Sequence, residues 1–173
     1  MIIAQEKKKT NIAEYILYMW QVEDIIRASN FNISIIEENI IKQMKLEAIQ
    51  YNEVKIWYED LISRMKSEKI TKSGHLSFVT DTLNELELFH KSIIEGKKDK
   101  KYLELYKWAM TIIKELSEKN KGHSQGEIDV CLTGLYGLLI LRLRKKTISA
   151  ETAEAMKTIS NLVAYLSMLY MKK

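Results

Sequence analysis

The sequence contains no proline and only six glycines in 173 residues. Proline interrupts helices most strongly and glycine weakens them, so long helices with few obligatory breaks are expected. Hydrophobic residues make up 46% of the chain and charged residues 29%, a balance typical of a folded globular protein rather than a disordered one. We therefore predict a single helical-bundle domain over residues 1–173, with a core that needs no disulfide or metal to stabilise it.

Cysteine is equally scarce, and the single Cys131 excludes an internal disulfide. A reducing compartment is compatible with this composition. The N-terminus lacks a basic region before a long apolar run, and no uncharged stretch reaches the about 20 residues that cross a bilayer. We expect no signal peptide, no membrane association and a cytoplasmic location.

Recognisable catalytic motifs are missing as well. The chain has no His-Glu-x-x-His, no phosphate-cradling glycine loop, no Gly-x-Ser-x-Gly and no dinucleotide fingerprint. The step from Glu87 to His90 resembles half of a di-iron motif, but the second half is absent. We expect no enzyme, cofactor or metal, and interpret His90 as a buried histidine with a hydrogen-bond partner.

The net charge of +4 is only mildly basic, and the lysines lie in short separate runs instead of one continuous stretch. A nucleic-acid binder usually concentrates its basic residues on one face. Nucleic acid is therefore not an expected partner.

Apolar periodicity predicts six helices, mostly antiparallel. We number them predicted helices 1 to 6. Predicted helix 1 runs from Thr10 or Asn11 to about Ser29, helix 2 from Ser34 to about Lys69, and helix 3 from about His75 to Glu95. Predicted helix 4 starts after Asp99, helix 5 at about Glu127 and helix 6 after Ser149. Capping boxes are predicted at Ser34–Glu37 and Ser124–Glu127, and Gly96 is predicted as a C-terminal cap. Predicted helix 2 is either one helix or two with a break near Tyr51–Asn52.

Predicted helix 5 is apolar on every side, because no charge occurs between Cys131 and Leu141. Such a helix needs neighbours all round, and predicted helix 1 is also unusually apolar. We expect helices 1 and 5 at the centre of the bundle. Gly134 and Gly137 would allow another helix to approach closely.

Glu23 is the strongest candidate for a functional residue, since it projects with the apolar face of predicted helix 1. A buried carboxylate must be paired or hydrogen-bonded. Arg27 is a local partner and Arg142 a distant one. Three interpretations stay open: a structural ion pair, a polar pocket between helices 1 and 5, or simple exposure of Glu23 at the edge of the bundle. The candidate binding residues are Trp20, Glu23, Arg27, Tyr136 and Arg142.

Large apolar side chains exceed one stripe per helix, including Trp57, Trp108 and Met168–Met171. Surplus apolar surface favours a non-enzymatic module that binds a protein partner or self-associates as a homo-oligomer. The alternative is a small-ligand binding protein, whose pocket at Glu23, Arg27 and Arg142 would suit an anionic or amphipathic ligand.

Two blocks of sequence, Asn11–Ala28 and Leu135–Lys146, together with the opening Met1–Lys7, resemble a known family. It is a domain-of-unknown-function family of small all-helical proteins from Bacteroidetes, and the resemblance extends over essentially the whole chain. It implies a stand-alone helical protein in the cytoplasm, and it implies no activity and no catalytic residues.

Overall fold

The computed structural model describes residues 2–97, 99–120 and 126–173 and contains only helices and connecting segments in these ranges. The all-α fold class is thereby confirmed. The eight α-helices of the described residues are α1 (Ile2–Thr10), α2 (Ile12–Ala28), α3 (Ile33–Ile36), α4 (Ala48–Ser67), α5 (Ser77–Gly96), α6 (Lys100–Lys119), α7 (Glu127–Leu143) and α8 (Ala150–Tyr170). The predicted number of six helices is wrong.

The first additional helix is α1, which precedes predicted helix 1. Its alanine, glutamine, glutamate and lysines are good helix formers, and Ala4 is buried. Lys7 pairs with Glu14 of α2 at 2.6 Å. The N-terminal segment therefore forms a helix instead of an extended chain.

The second additional helix arises where predicted helix 2 breaks. Helix α3 continues through a π-helical turn at Glu37–Ile41 and a 3₁₀ turn at Lys42–Met44, and Lys45 then adopts a left-handed conformation with φ 50°. A capping box between Glu47 and Gln50 begins α4. The alternative that predicted helix 2 is two helices is confirmed. The break lies before Tyr51, however, and not near Tyr51–Asn52 as predicted.

Caps were predicted with mixed success. Helices α6 and α8 begin after Asp99 and Ser149, as predicted, and these two residues cap them by accepting from the backbone N–H groups of Tyr102 and Thr152. The Ser34 box is wrong, because Asn32 caps α3 instead. Gly96 lies inside the last turn of α5, where Lys97 takes the left-handed conformation. Ser124 lies outside the described residues.

The chain forms two compact units. Unit 1 comprises Met1–Lys9 and Glu14–Asp81, and unit 2 comprises Thr10–Ala13 and Thr82–Lys173. The boundary falls at the last residue of α1, within α2 and within α5. The core of unit 1 consists of apolar side chains of α2, α3 and α4, among them Ile16, Met19, Ile26, Ile36, Tyr58, Leu61 and Met65.

In unit 2, α6, α7 and α8 pack against one another. Helix α7 packs against both α6 and α8. Its first half carries buried residues, whereas only Leu138 is buried between Leu135 and Leu143. The prediction that helices 1 and 5 form a common centre is wrong, since α2 lies mostly in unit 1 and α7 is half exposed.

Ser167 of α8 connects two elements of unit 2. Its buried hydroxyl donates to Asn11 Oδ1 at 2.8 Å and accepts from the backbone N–H of Ala13 at 3.4 Å. The start of α2 is therefore attached to α8. Within the described ranges, no helix is both long and apolar enough to cross a membrane.

Candidate functional site

The Glu23 carboxylate is completely buried in unit 1 and has two partners. Oε1 accepts from the backbone N–H of Leu76 at 2.9 Å, and Oε2 lies 2.6 Å from His75 Nδ1. A carboxylate only accepts hydrogen bonds, so His75 donates from Nδ1. Its ring stacks on Trp20 with centroids 4.5 Å apart. Glu23 therefore fixes the segment that leads into α5.

Arg27 reaches the same segment by a different route. Its guanidinium donates to the carbonyl oxygens of Ile70 and Gly74, and it pairs with Asp24 at 3.0 Å. The predicted pair with Glu23 is replaced by these contacts. Arg27 and the Glu23 carboxylate thus attach residues 70–76 to α2 at separate points.

The other two candidate binding residues belong to unit 2. Tyr136 is half-buried on α7, and Arg142 is exposed in the last turn of that helix. The structure joins Trp20 and Glu23 through His75 and places Arg27 on the same segment. A binding role for the five residues stays a prediction.

A second polar cluster, which the sequence indicated only through the step from Glu87 to His90, lies in unit 2. His90 is buried between Tyr102, whose hydroxyl lies 2.6 Å from Nδ1, and Glu127, whose Oε2 lies 3.0 Å from Nε2. The Tyr102 hydroxyl donates to Nδ1, and the Nε2–H donates to the carboxylate. This confirms the interpretation of His90 as a buried histidine with hydrogen-bond partners.

Glu127 is the exposed end of this cluster, with 45% of its side chain accessible. Its other oxygen, Oε1, accepts from the Tyr106 hydroxyl at 3.1 Å. The hydrogen bond from His90, supported by that from Tyr106, lowers the pKa of Glu127 against the opposing effect of burial. Glu127 is therefore a carboxylate held in one orientation.

The neighbouring phenols and the thiol keep their protons. Burial and the bond to Glu127 raise the pKa of Tyr106 to about 12, and burial raises the pKa of Tyr102 further. Burial also raises the pKa of the Cys131 thiol far above its usual range. The cluster can donate and accept hydrogen bonds, and Cys131 is poorly suited to act as a nucleophile.

Glu87 caps the beginning of α7. Its carboxylate accepts from the backbone N–H groups of Glu127 at 3.3 Å and Ile128 at 2.8 Å. Gly126 allows this approach, since a Cβ at that position would lie 2.5 Å from Glu87 Oε2. The positive N-terminal end of α7 is therefore already occupied by an anion.

Two clefts flank Glu127, with volumes of about 550 and 390 Å³. Tyr106, Gly126 and Glu127 line both of them. Among the described residues, no three His, Cys, Asp or Glu side chains are placed to hold a metal ion. Because Glu127 and Tyr106 line both clefts and carry polar groups, they are the best placed groups to contact a ligand.

The Glu127 residue makes the stability of the protein depend on pH. Because its folded-state pKa lies below the unfolded value, ionised Glu127 stabilises the fold at neutral pH, and this contribution is lost as the pH falls through the folded-state pKa. Urea unfolding should therefore show a smaller stability difference between wild type and Glu127→Gln at pH 3 than at pH 7. A constant difference at both pH values would contradict this, and the exposed Glu104→Gln on α6 serves as the control.

The fold and the site define an all-helical protein with a polar cluster at the start of α7, where Glu87 caps the helix. The chain belongs to the family described as a domain of unknown function (DUF4924), which matches residues 1–173. Comparison with curated proteins and with solved structures gives no match.

Glu87, Tyr106 and Glu127 could not be recognised as one site from the sequence. Their hydrogen-bond partners lie between 21 and 41 residues away along the chain. The available signal was that Glu87 and His90 share one face of α5, and that Tyr102 lies on the apolar stripe of α6.

Proposed function

We propose that this protein is a non-enzymatic helical module that self-associates through the end of α7. The supporting observation is the segment Leu135–Leu143, which we call the α7 end face. Its residues are uncharged as far as Leu141, and yet Leu141 is 41% and Leu143 65% exposed. An apolar helix surface of this kind is typical of an interaction site.

Gly137 supports the same proposal. A Cβ at Gly134 would lie 3.2 Å from a methyl group of Leu116, whereas a Cβ at Gly137 would have nothing within 4 Å. A glycine inside a helix costs about 1 kcal/mol relative to alanine. No contact with the residues that the structure describes explains Gly137, and a second helix can approach closely at this point.

The charges beside the α7 end face favour a second copy as the partner. Arg142, Arg144, Lys145 and Lys146 are exposed, and the exposed Glu151 and Glu154 follow at the start of α8. A two-fold interface places one patch against itself, so a charged patch is complementary to itself only if it contains both signs. Here the basic residues of one protomer can face the acidic residues of its partner.

Replacing Leu143 with glutamate should weaken self-association by more than about tenfold, because an unpaired carboxylate would be buried in the interface. Leu88→Glu is the matched control, since Leu88 is 66% exposed but lies on α5. Sedimentation equilibrium over a concentration series measures both variants. Equal effects of the two substitutions would contradict an interface at α7.

The proposal also includes the absence of catalysis and a cytoplasmic location. The buried Cys131 thiol supports both, because burial raises its pKa and makes it poorly suited to act as a nucleophile, and because it is not part of a disulfide. The short, separate lysine runs support a protein partner over nucleic acid. Binding to nucleic acid that weakens steeply as the salt concentration rises would overturn the preference for a protein partner.

A further inference from the structure

The clefts beside Glu127 lie apart from the α7 end face and have a different chemistry. The apolar side chains of Met110, Ile113 and Val130 form part of the lining of the larger cleft. Tyr106 and Glu127 supply an aromatic ring and a carboxylate to the same cleft. Its volume of about 550 Å³ lies within the range of small-molecule sites.

The charges of the two clefts favour a cation. The lining residues include four carboxylates and two ammonium groups, namely Glu87, Glu95, Glu118 and Glu127 against Lys91 and Lys114. This local excess of negative charge contrasts with the net charge of +4 of the whole chain. An anion would also find the N–H groups at the start of α7 already bound to Glu87.

The Glu127 carboxylate can accept a further hydrogen bond. One oxygen is held by Tyr106 and the other by His90, and each oxygen keeps a second lone pair. Almost half of the side chain is accessible. An N–H donor can therefore bind Glu127 without breaking the existing contacts, and little reorganisation is required.

We propose that the larger cleft binds an aliphatic ammonium ion. The ammonium group donates to Glu127 and lies near the ring of Tyr106, where a cation is attracted to the aromatic face. The alkyl chain covers Met110, Ile113 and Val130. The same chemistry is present in a free alkylamine and in a lysine side chain of another protein, and self-association is not required for either.

The test is isothermal titration calorimetry of the full chain with n-hexylamine. We expect binding of the ammonium ion and at least about tenfold weaker binding of n-hexanol and of hexanoate. Blocked lysine, acetylated at its α-amine and amidated at its carboxyl, distinguishes the two sources. Tighter binding of blocked lysine indicates a protein partner, and tighter binding of hexylamine indicates a free amine.

Variants identify the site. Glu127→Gln should weaken hexylamine binding at least about tenfold, whereas the exposed Glu104→Gln should leave it unchanged. Because Glu127→Gln also removes contacts within the fold, Met110→Lys provides a second test. Met110 is exposed, so the variant should fold, and its ammonium group should compete with the ligand. Met168→Lys on α8 is the control, since Met168 is exposed and does not line the cleft.

Three results would overturn the proposal. They are equal binding of hexylamine and hexanol, no detectable binding of hexylamine or blocked lysine, and equal losses in Met110→Lys and Met168→Lys. Circular dichroism of each variant confirms that its helices are retained.

Discussion

Replacing Glu23 with alanine is expected to lower the free energy of unfolding by about 3 kcal/mol. The substitution removes the acceptor of the buried Leu76 N–H and the partner of His75, and it leaves a cavity. A buried donor without a partner costs about 1–3 kcal/mol, and lost packing adds to this. Urea unfolding monitored by circular dichroism measures the change.

Two further variants make this prediction specific. Glu23→Gln keeps the size of the side chain and an oxygen for Leu76, and should cost less than half as much. Glu14→Ala, on the same helix, removes an exposed glutamate that pairs with Lys7 and should change stability by less than about 0.5 kcal/mol. Equal stabilities of Glu23→Ala and Glu14→Ala would contradict the structural role of the buried carboxylate.

Replacing Gly126 with alanine should cost about 2 kcal/mol, although its backbone, with φ −173° and ψ 176°, suits any residue. The new Cβ would lie 2.5 Å from Glu87 Oε2, so the carboxylate would have to leave the N–H groups of Glu127 and Ile128. Loss of a helix cap costs about 0.5–2 kcal/mol, and the buried Ile128 N–H adds to it.

A double-mutant cycle separates this cause from general crowding at Gly126. Glu87→Ala should itself cost about 2 kcal/mol, and it removes the atoms with which the new Cβ collides. Adding Gly126→Ala to Glu87→Ala should then cost less than about 0.5 kcal/mol, because the two changes are strongly coupled. Full additivity in unfolding experiments would contradict the close approach of Glu87 to the start of α7.

Local features of the fold were predictable from the sequence because their causes lie within a few residues. Asp99 and Ser149 cap helices through N–H groups three residues ahead. Lys45 was not predictable as a break, because a lysine carries no local signal for a left-handed conformation. The short helix α1 was missed for a related reason, since residues 2–9 contain no Ser, Thr, Asp or Asn that would signal a helix start and no regular apolar stripe.

The candidate sites depend on pairs that are distant in sequence. Glu23 was identified by its position on an apolar face, but its partner His75 lies 52 residues away, and Arg27 was the only partner that spacing could indicate. For α7, an apolar pattern predicts burial without saying what covers it. The structure leaves Leu143 exposed, and self-association would supply the missing cover.

The proposed function requires that two copies of the chain associate through the α7 end face. The most direct test is the mass of the unmodified protein in solution, measured by sedimentation equilibrium from low micromolar to high micromolar concentration. We predict a mass that approaches twice the 20.3 kDa of the chain. A mass equal to that of one chain over the whole concentration range would contradict the claim.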